Sequence, residues 1–363
     1  MSRRFRPTWA EIDLDALSGN YNALRHLSQG KTLIPVVKAD AYGHGAKEVV
    51  MHLHEHHGVD LFAVSLIEEA LELKTLKLDI DILIMGPIKP QDLPCLAENG
   101  LIFTLTNDTV YHSMKASSVN YRFHVKADTG MHRLGFTDVP TILDVFHEAQ
   151  KRNGWSLEGV FTHFATSDSD ESYLSRQYNA FHSIMEQLPY LPAMVHVSNS
   201  SAVVKYEKDM NLTTHTRTGI SLYGYSLEGR LSYLSPVMTL KSQIVEIKHL
   251  SPGDYLGYGI TYRASSHERI GILPIGYADG WIRKNQDGMV WIKGGTYRMV
   301  GSVCMDMTFV KIDENIELYD DVILFGNKHI DADHVAQRLG TISYEVLCDV
   351  GKRVPRIYKT VRK

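Results

Sequence analysis

The chain has 363 residues, with 38 Lys and Arg against 42 Asp and Glu, and a formal net charge of -4. This balance excludes the basic excess typical of nucleic-acid-binding proteins. No apolar run follows the basic N-terminal residues and none is long enough to cross a bilayer, so neither a secretory signal nor a membrane partner is predicted. The cysteines, Cys95, Cys304 and Cys348, form neither a disulfide framework nor a zinc pattern. We therefore expect a cytoplasmic protein.

Strand-like and helix-like segments alternate through the first two-thirds of the chain, with helical stretches that start at about Ala46 and at Ile67. The β-rich runs are Thr32–Lys38, Leu61–Leu66, Asp81–Gly86, Leu101–Leu105, Tyr121–Asp128, Leu157–Phe164, Met194–Asn199 and His215–Ile220. This alternation predicts parallel βα units. Eight such units predict a closed (β/α)8 TIM-like barrel, which we place at residues 1–235.

The pattern changes after about Ser235. β-rich runs are separated there by the turns SPGD, NQDG and KGG, and helical periodicity returns only near Asp331–Leu339. We predict a C-terminal, mostly β domain over residues 236–363. The predicted fold class is thus α/β plus β, with the two domains packed together because no low-complexity linker separates them.

Polar residues stand at the ends of several predicted strands, where the active site of a (β/α)8 barrel lies. They are Lys38, Lys126, Asp128, His163, Asn199, Ser200 and Arg217. A single polar residue at a strand end is usually solvated or caps the strand. Five strands of eight with this feature favour a functional site.

Lys38 indicates the chemistry of that site. A lysine that ends a buried strand loses hydration, so its pKa falls and its amine becomes nucleophilic. Such a lysine forms a Schiff base with an aldehyde cofactor, of which pyridoxal 5'-phosphate (PLP) is the common one. Ser200 and the backbone N–H groups around Gly219 and Ile220 are suited to hold a phosphate. The alternative is a lysine paired with a carboxylate of the barrel.

The segment HLHEHHG, His52–Gly58, is similar to a metal site because His52 and His56 are four residues apart. We interpret it as a solvated helix end. A metallohydrolase barrel with His163 and Asp128 as ligands would leave Lys38 without a role, so no metal is predicted.

Motifs along nearly the whole chain resemble those of the alanine racemase family. They are VVKADAYGHG (Val36–Gly45), KADTGMHRLGF (Lys126–Phe136), FTHFATSD (Phe161–Asp168), SNSSA (Ser198–Ala202), RTGISLYG (Arg217–Gly224), GYGITY (Gly257–Tyr262), PIGYADG (Pro274–Gly280), VCMDM (Val303–Met307) and RVPRIY (Arg353–Tyr358). These motifs follow the family order.

The resemblance implies a PLP-dependent isomerase that interconverts L- and D-alanine and supplies D-alanine for cell-wall peptidoglycan. It also implies a homodimer, in which each site combines one barrel with the partner's β domain. Lys38 matches the Schiff-base lysine, which is also the base for the D-enantiomer. Tyr258 matches the base for the L-enantiomer, delivered by the partner. Two opposed bases suit a reaction that removes a proton from one face and returns it on the other.

The resemblance also assigns the cofactor contacts. Arg217 matches the arginine on the pyridine nitrogen, and His163 matches its hydrogen-bond partner. An arginine keeps its proton, so the pyridine nitrogen stays unprotonated and simple proton return is favoured. The residues that match phosphate contacts or lie beside them are Tyr42, Asn199, Ser200, Gly219 and Ile220.

Substrate contacts are implied for Arg133 and for the backbone of Met305 from the partner. Lys126 matches a lysine that is often carbamylated, which would place a negative charge beside Arg133. The supporting and access-channel positions are Asp168, Tyr277, Arg283 and Asp306.

Two positions depart from the family pattern. Lys352 stands where we expect a tyrosine against the phosphate, and Ser302 stands where an arginine often lines the access channel. We expect Lys352 to bind the cofactor phosphate and to leave room for serine as a minor substrate; the alternative is that its ammonium extends into solvent. The alternatives are a racemase of broader specificity, a PLP decarboxylase, which Arg217 disfavours, and a non-catalytic PLP carrier, which the β domain disfavours.

Overall fold

The computed structural model describes residues 5–360. Residues 1–4 and 361–363 lie outside this range. The first residues of the predicted barrel domain and the last residues of the predicted β domain are therefore not described.

A first strand, β1 (Thr8–Asp13), precedes a barrel of eight parallel strands. The barrel strands are β2 (Thr32–Pro35), β3 (Leu61–Val64), β4 (Asp81–Ile84), β5 (Ile102–Leu105), β6 (Tyr121–Lys126), β7 (Trp155–Phe161), β8 (Met194–His196) and β9 (His215–Thr218). Their order is β2-β9-β8-β7-β6-β5-β4-β3, and a bridge from Val36 to Ala63 joins the two ends. The eight predicted strands and the barrel are confirmed.

Helices surround the barrel. They are Leu14–Leu27, Ala46–His57, Ile67–Lys74, Leu93–Glu98, Asp108–Lys115, Val139–Lys151, Glu171–Met185 and Ser200–Lys205, and 3₁₀ turns lie at Pro90–Asp92, Glu207–Asp209 and Ile220–Tyr223. Side-chain oxygens at the first residue before several helices accept a backbone N–H from the first turn, which fixes where the helix begins. Those residues are Asp13, Asn107, Asp138, Asp170 and Asn199.

The histidine-rich segment forms the end of helix Ala46–His57, and the prediction of a solvated end is wrong for His52. His52 is buried, with its Nε2 atom 2.7 Å from Ser18 Oγ, and His57 Nε2 lies 2.8 Å from the same hydroxyl. These contacts join the helix to its neighbour Leu14–Leu27.

The second domain is mostly β, as predicted. Its strands are β10 (Met238–Gln243), β11 (Glu246–Leu250), β12 (Tyr255–Leu256), β13 (Tyr262–Arg263), β14 (Glu268–Leu273), β15 (Met289–Ile292), β16 (Gly295–Arg298), β17 (Thr308–Ile312), β18 (Asp321–Phe325) and β19 (Arg356–Lys359). Helices lie at Ala332–Leu339 and Ser343–Cys348, and 3₁₀ turns at Tyr258–Ile260, Tyr277–Asp279 and Arg283–Asn285.

The first strand belongs to the second domain. β1 lies between β10, with which it pairs antiparallel, and β19, with which it pairs parallel, in a six-stranded sheet ordered β16-β15-β18-β10-β1-β19. The predicted barrel domain, which starts at residue 1, therefore includes a strand of the other sheet. Among residues 5–360, no helix is long and apolar enough to span a membrane.

Candidate active site

A cavity of about 750 Å³ opens at the carboxyl ends of the barrel strands. Most of the predicted site residues line it. They are Lys38, Tyr42, Lys126, Arg133, His163, Asp168, Asn199, Ser200, Arg217, Gly219 and Ile220. Asp128 lies outside the lining, where its Oδ1 atom accepts the N–H groups of Gly130 and His132 at 3.0 Å.

Lys38 follows the strand rather than ending it, because β2 stops at Pro35. From Lys38 the chain makes one helical turn in which Ala39, Asp40, Ala41 and Tyr42 all have φ between 52° and 54°. Left-handed backbone costs an L-residue about 1–2 kcal/mol. Four such residues in succession persist only because surrounding contacts fix them.

The barrel wall and the second domain hold this turn. The Ala39 N–H donates to Glu69 Oε1 at 2.6 Å, and Asp40 Oδ1 accepts the Ala46 N–H at 2.8 Å. Arg356 of β19 donates from Nε to the Gly43 carbonyl at 2.9 Å. A side chain at Gly43 would meet the Leu347 carbonyl oxygen at 2.4 Å, so the turn and the C-terminal segment are in direct contact. The second domain thus braces the segment that carries Lys38.

The side-chain amines of two lysines that line the cavity have lowered pKa values. Burial lowers the pKa of Lys38, and the nearby positive charge of Arg133 lowers it further. Burial, with Arg133 and Arg217 adding to it, lowers the pKa of Lys126 to about 8. A larger fraction of each amine is therefore neutral near neutral pH than for an exposed lysine, which makes both more reactive as nucleophiles.

Arg217 lies on the cavity wall, buried and surrounded by neutral acceptors. Its Nη2 atom donates to the Thr162 carbonyl at 2.9 Å and the Val197 carbonyl at 3.0 Å, and lies 3.2 Å from His163 Nδ1. Burial lowers the pKa of Arg217 to about 9, so the guanidinium remains charged at neutral pH. Burial and this neighbouring charge hold the pKa of His163 well below its usual range, so His163 is neutral.

An anion cradle lies where the last two strands end. Ser200 Oγ accepts the Gly219 N–H at 3.0 Å, and helix Ser200–Lys205 begins at this point with Asn199 as its cap. Helix N-termini offer backbone N–H groups and a positive dipole end to an anion. The Tyr42 hydroxyl approaches so closely that a Cβ atom on Gly219 would lie 2.2 Å from it. Glycine is therefore required where the Tyr42 hydroxyl meets the cradle.

Lys352, which we predicted to contact the cofactor phosphate, does not line this cavity. Lys352 is exposed and lines a separate cavity behind the Lys38 turn, with Ala39 and Cys348. The aromatic residue that lines the main cavity is Tyr344, whose ring centroid lies 5.9 Å from that of Tyr42. Tyr344 was missed because it precedes RVPR by nine residues, and helix Ser343–Cys348 returns it to the barrel mouth. Tyr344 therefore provides an aromatic ring at the cavity wall.

The β-domain residues predicted for the site lie outside this cavity within one chain. They are Tyr258, Tyr277, Arg283, Met305 and Asp306. Tyr258 and Met305 are 71% and 53% exposed. Ser302 is buried and its hydroxyl lies 3.1 Å from that of Thr261, so it does not line the barrel cavity.

These features define a two-domain barrel enzyme whose site lies at the barrel mouth. The alanine racemase N-terminal domain model matches residues 12–227, and the alanine racemase C-terminal domain model matches residues 237–358. The chain belongs to the alanine racemase family.

Similar proteins span the whole chain. An alanine racemase of Geobacillus kaustophilus is 38% identical, over 99% of this chain and 96% of that protein. The crystal structure of alanine racemase from E. faecalis superimposes with a TM-score of 0.90 at 34% identity, covering 98% of both chains. The alanine racemase from Bacillus anthracis with bound L-Ala-P has a TM-score of 0.90 at 32% identity, covering 99% of this chain and 96% of that one.

Proposed function

We propose that this chain is an alanine racemase that uses PLP and acts as a homodimer. The observation that carries the proposal is the joint placement, in one cavity, of a lysine with a lowered pKa, an anion cradle and a buried arginine that no carboxylate among residues 5–360 contacts. These are the three groups that an aldehyde, a phosphate and a ring nitrogen require.

The residues of the cavity fit PLP. Lys38 would hold the aldehyde carbon, while Ser200, Tyr42 and the backbone at Gly219 would hold the phosphate. Arg217 would donate to the ring nitrogen and, since its proton stays on the guanidinium, would leave that nitrogen unprotonated. Bound PLP would supply an electron sink that makes the Cα–H bond of alanine more acidic.

Proton movement is then the work of two side chains. Lys38, whose lowered pKa frees its amine, takes or returns the Cα proton on one face. Tyr258 of a second copy would serve the opposite face, since within its own chain it is exposed on the β domain, away from the cavity. Arg133, which is exposed and lines the cavity, would bind the substrate carboxylate, and Tyr344 would limit the space for the substrate side chain.

The first experiment is a racemisation assay with purified protein, PLP and L-alanine, followed by loss of optical rotation. Borohydride reduction should fix the cofactor on Lys38. Lys38→Ala should abolish both label and activity, while Lys352→Ala, a change of an exposed lysine, should preserve both. No loss of rotation by the PLP-loaded protein, or a label on another lysine, would overturn the proposal.

A second experiment tests the shared site. Lys38→Ala and Tyr258→Phe subunits are each expected to be nearly inactive. After subunit exchange, heterodimers should regain activity because one of their two sites is intact. Exchange shown by differently tagged subunits, without recovered activity, would place both bases in one chain.

A further inference from the structure

We propose that His196 and His124 are positioning residues, which hold Arg217 through a line of hydrogen bonds with one fixed order of protons. The inference deepens the proposed function, on which it rests only for the contact between Arg217 and the cofactor ring. The line itself lies behind the cavity, inside the barrel.

Three buried side chains form the line. Arg217 Nη1 lies 2.5 Å from His196 Nδ1, and His196 Nε2 lies 2.9 Å from His124 Nδ1. The Phe161 ring stacks on His196 with centroids 4.6 Å apart. Gly159 makes room for His124, since a Cβ atom there would lie 2.6 Å from the imidazole ring. The packing thus fixes both rings in place.

The order of the protons follows from donor chemistry. Arginine only donates, so His196 Nδ1 must be an unprotonated acceptor. A neutral His196 then carries its proton on Nε2 and donates it to His124 Nδ1. His124, in turn, must be protonated on Nε2. The reverse order would direct the His196 Nδ1–H at an Arg217 N–H across 2.5 Å, and two donors repel at that distance.

Both imidazoles are neutral. They are fully buried, and the groups that face them, Arg217, His215 and Arg122, are all of the cationic type. Burial, with His215, Arg217 and Arg122 adding to it, lowers the pKa of His124 to about 3. Burial, with Arg217, His124 and His215 adding to it, holds the pKa of His196 well below its usual range. Protonation of His196 would direct its Nδ1–H at an Arg217 N–H, and protonation of His124 would direct its Nδ1–H at the His196 Nε2–H.

The consequence for Arg217 is that its guanidinium is held in place by neutral partners, and no carboxylate among the described residues contacts it. Every partner of its Nη atoms is a neutral oxygen or nitrogen: two carbonyls, His163 and His196. A carboxylate in place of His196 would orient the guanidinium equally well but would cancel its charge. Among the described residues none accepts the Arg217 Nε–H, which remains for a ligand.

The line ends at an unpartnered atom. His124 Nε2 is buried and has no hydrogen-bond partner among residues 5–360. A buried N–H without a partner costs about 1–3 kcal/mol. The fixed proton order explains why the unpartnered donor lies farthest from Arg217. His196 accepts from Arg217, and His124 accepts from His196, so only the last N–H in the line lacks an acceptor.

The direct test is ¹⁵N NMR of the histidine side chains in the purified full-length protein loaded with PLP, between pH 5.5 and 8. The two ring nitrogens of a neutral imidazole have well-separated ¹⁵N shifts, so the spectra report which one is protonated. We expect His196 and His124 to be Nε2–H throughout. A proton on Nδ1 of either ring, or titration of either ring within this range, would overturn the inference. This readout does not depend on activity.

Two variants separate positioning from packing. His196→Asn keeps an oxygen near the position of Nδ1 and so keeps the contact with Arg217, whereas His196→Phe keeps the ring shape and loses it. We expect His196→Phe to lower kcat/KM by about tenfold to a hundredfold, the value of a charge-assisted hydrogen bond. His196→Asn should recover most of that loss. His215→Asn, a change of a half-buried histidine at the start of β9, is the control and should remain near wild type.

The outcomes are distinct. Equal activity of His196→Phe and His196→Asn would show a role in packing alone and overturn the inference. If His196→Phe does not fold, His196→Asn is compared with His124→Asn. His124→Asn should keep kcat/KM within a few-fold of wild type. It should also shift the His196 Nε2–H resonance. An unmoved resonance would overturn the inference. A PLP-loaded wild-type protein that does not racemise alanine would refute the proposed function and leave the proton order to stand or fall by NMR.

Discussion

Replacement of Ala39 by glycine should stabilise the protein, which is unusual for a change from alanine to glycine. Ala39 has φ of 52° and its side chain is exposed, so the change removes strain without loss of core packing. Relief of left-handed strain yields about 1–2 kcal/mol. The greater freedom of glycine in the unfolded chain costs about 0.5–1 kcal/mol. The free energy of unfolding should therefore rise by about 0.5–1 kcal/mol.

A matched control gives the opposite sign. Ala16→Gly places glycine in the regular helix Leu14–Leu27, where it should lower the free energy of unfolding by about 0.5–1 kcal/mol. The assay is equilibrium unfolding in urea followed by far-UV circular dichroism. PLP and protein concentrations are held constant because a ligand of the folded state shifts apparent stability. If Ala39→Gly lowers the urea midpoint as much as Ala16→Gly, the turn is not strained and the reasoning fails.

The remaining predictions concern the cofactor wall, the second lysine and the histidine helix. Tyr344→Ala should increase the rate of PLP dissociation by about tenfold or more, the equivalent of about 1.4 kcal/mol, as measured by absorbance. Lys352→Ala should leave that rate unchanged. Equal effects of the two changes would show that Lys352 also contacts the cofactor. Since the pKa of Lys126 is about 8, its neutral amine should form a carbamate in ¹³C-bicarbonate, with an NMR signal that Lys126→Gln removes. The pKa values of His52 and His57 are lowered by burial and by the neighbouring His56, so the unfolded chain binds more protons than the folded one. The urea midpoint should therefore fall as pH drops below about 6.5, and less so in His57→Gln.

The sequence predicts those parts of the fold that depend on local patterns. Each of the eight predicted β-rich runs overlaps a barrel strand, and polar residues follow or end five of them. Strand ends of a barrel converge, so Lys38, His163, Ser200 and Arg217 could be expected in one cavity from their positions alone. The β domain was recognisable from its turns.

What the sequence does not predict depends on contacts between distant segments. β1 has the pattern of any strand, and its partners lie more than 200 residues away in β10 and β19. In the left-handed turn after Lys38, alanine at positions 39 and 41 does not favour a positive φ. The contacts from Glu69, Arg356 and Leu347 therefore determine this conformation. The position of Tyr344 in the cavity could not be predicted, because a motif gives distance along the chain, whereas helix Ser343–Cys348 decides which side chain turns toward the barrel.

The position of β1 has a consequence for biosynthesis. β1 has no partner until residues 238–243 have been made, and its second neighbour, 356–359, is made later still. The barrel strands β2–β9 can associate during synthesis, while Thr8–Asp13 waits as an unpaired edge that is open to pairing with other nascent chains. If the gene were divided at residue 235, the first half would carry β1 without its sheet partners, and the second half would lack one strand of its six-stranded sheet. A permuted gene that joined β19 to β1 through a linker long enough for a parallel crossover would bring these neighbours close in sequence and shorten that wait.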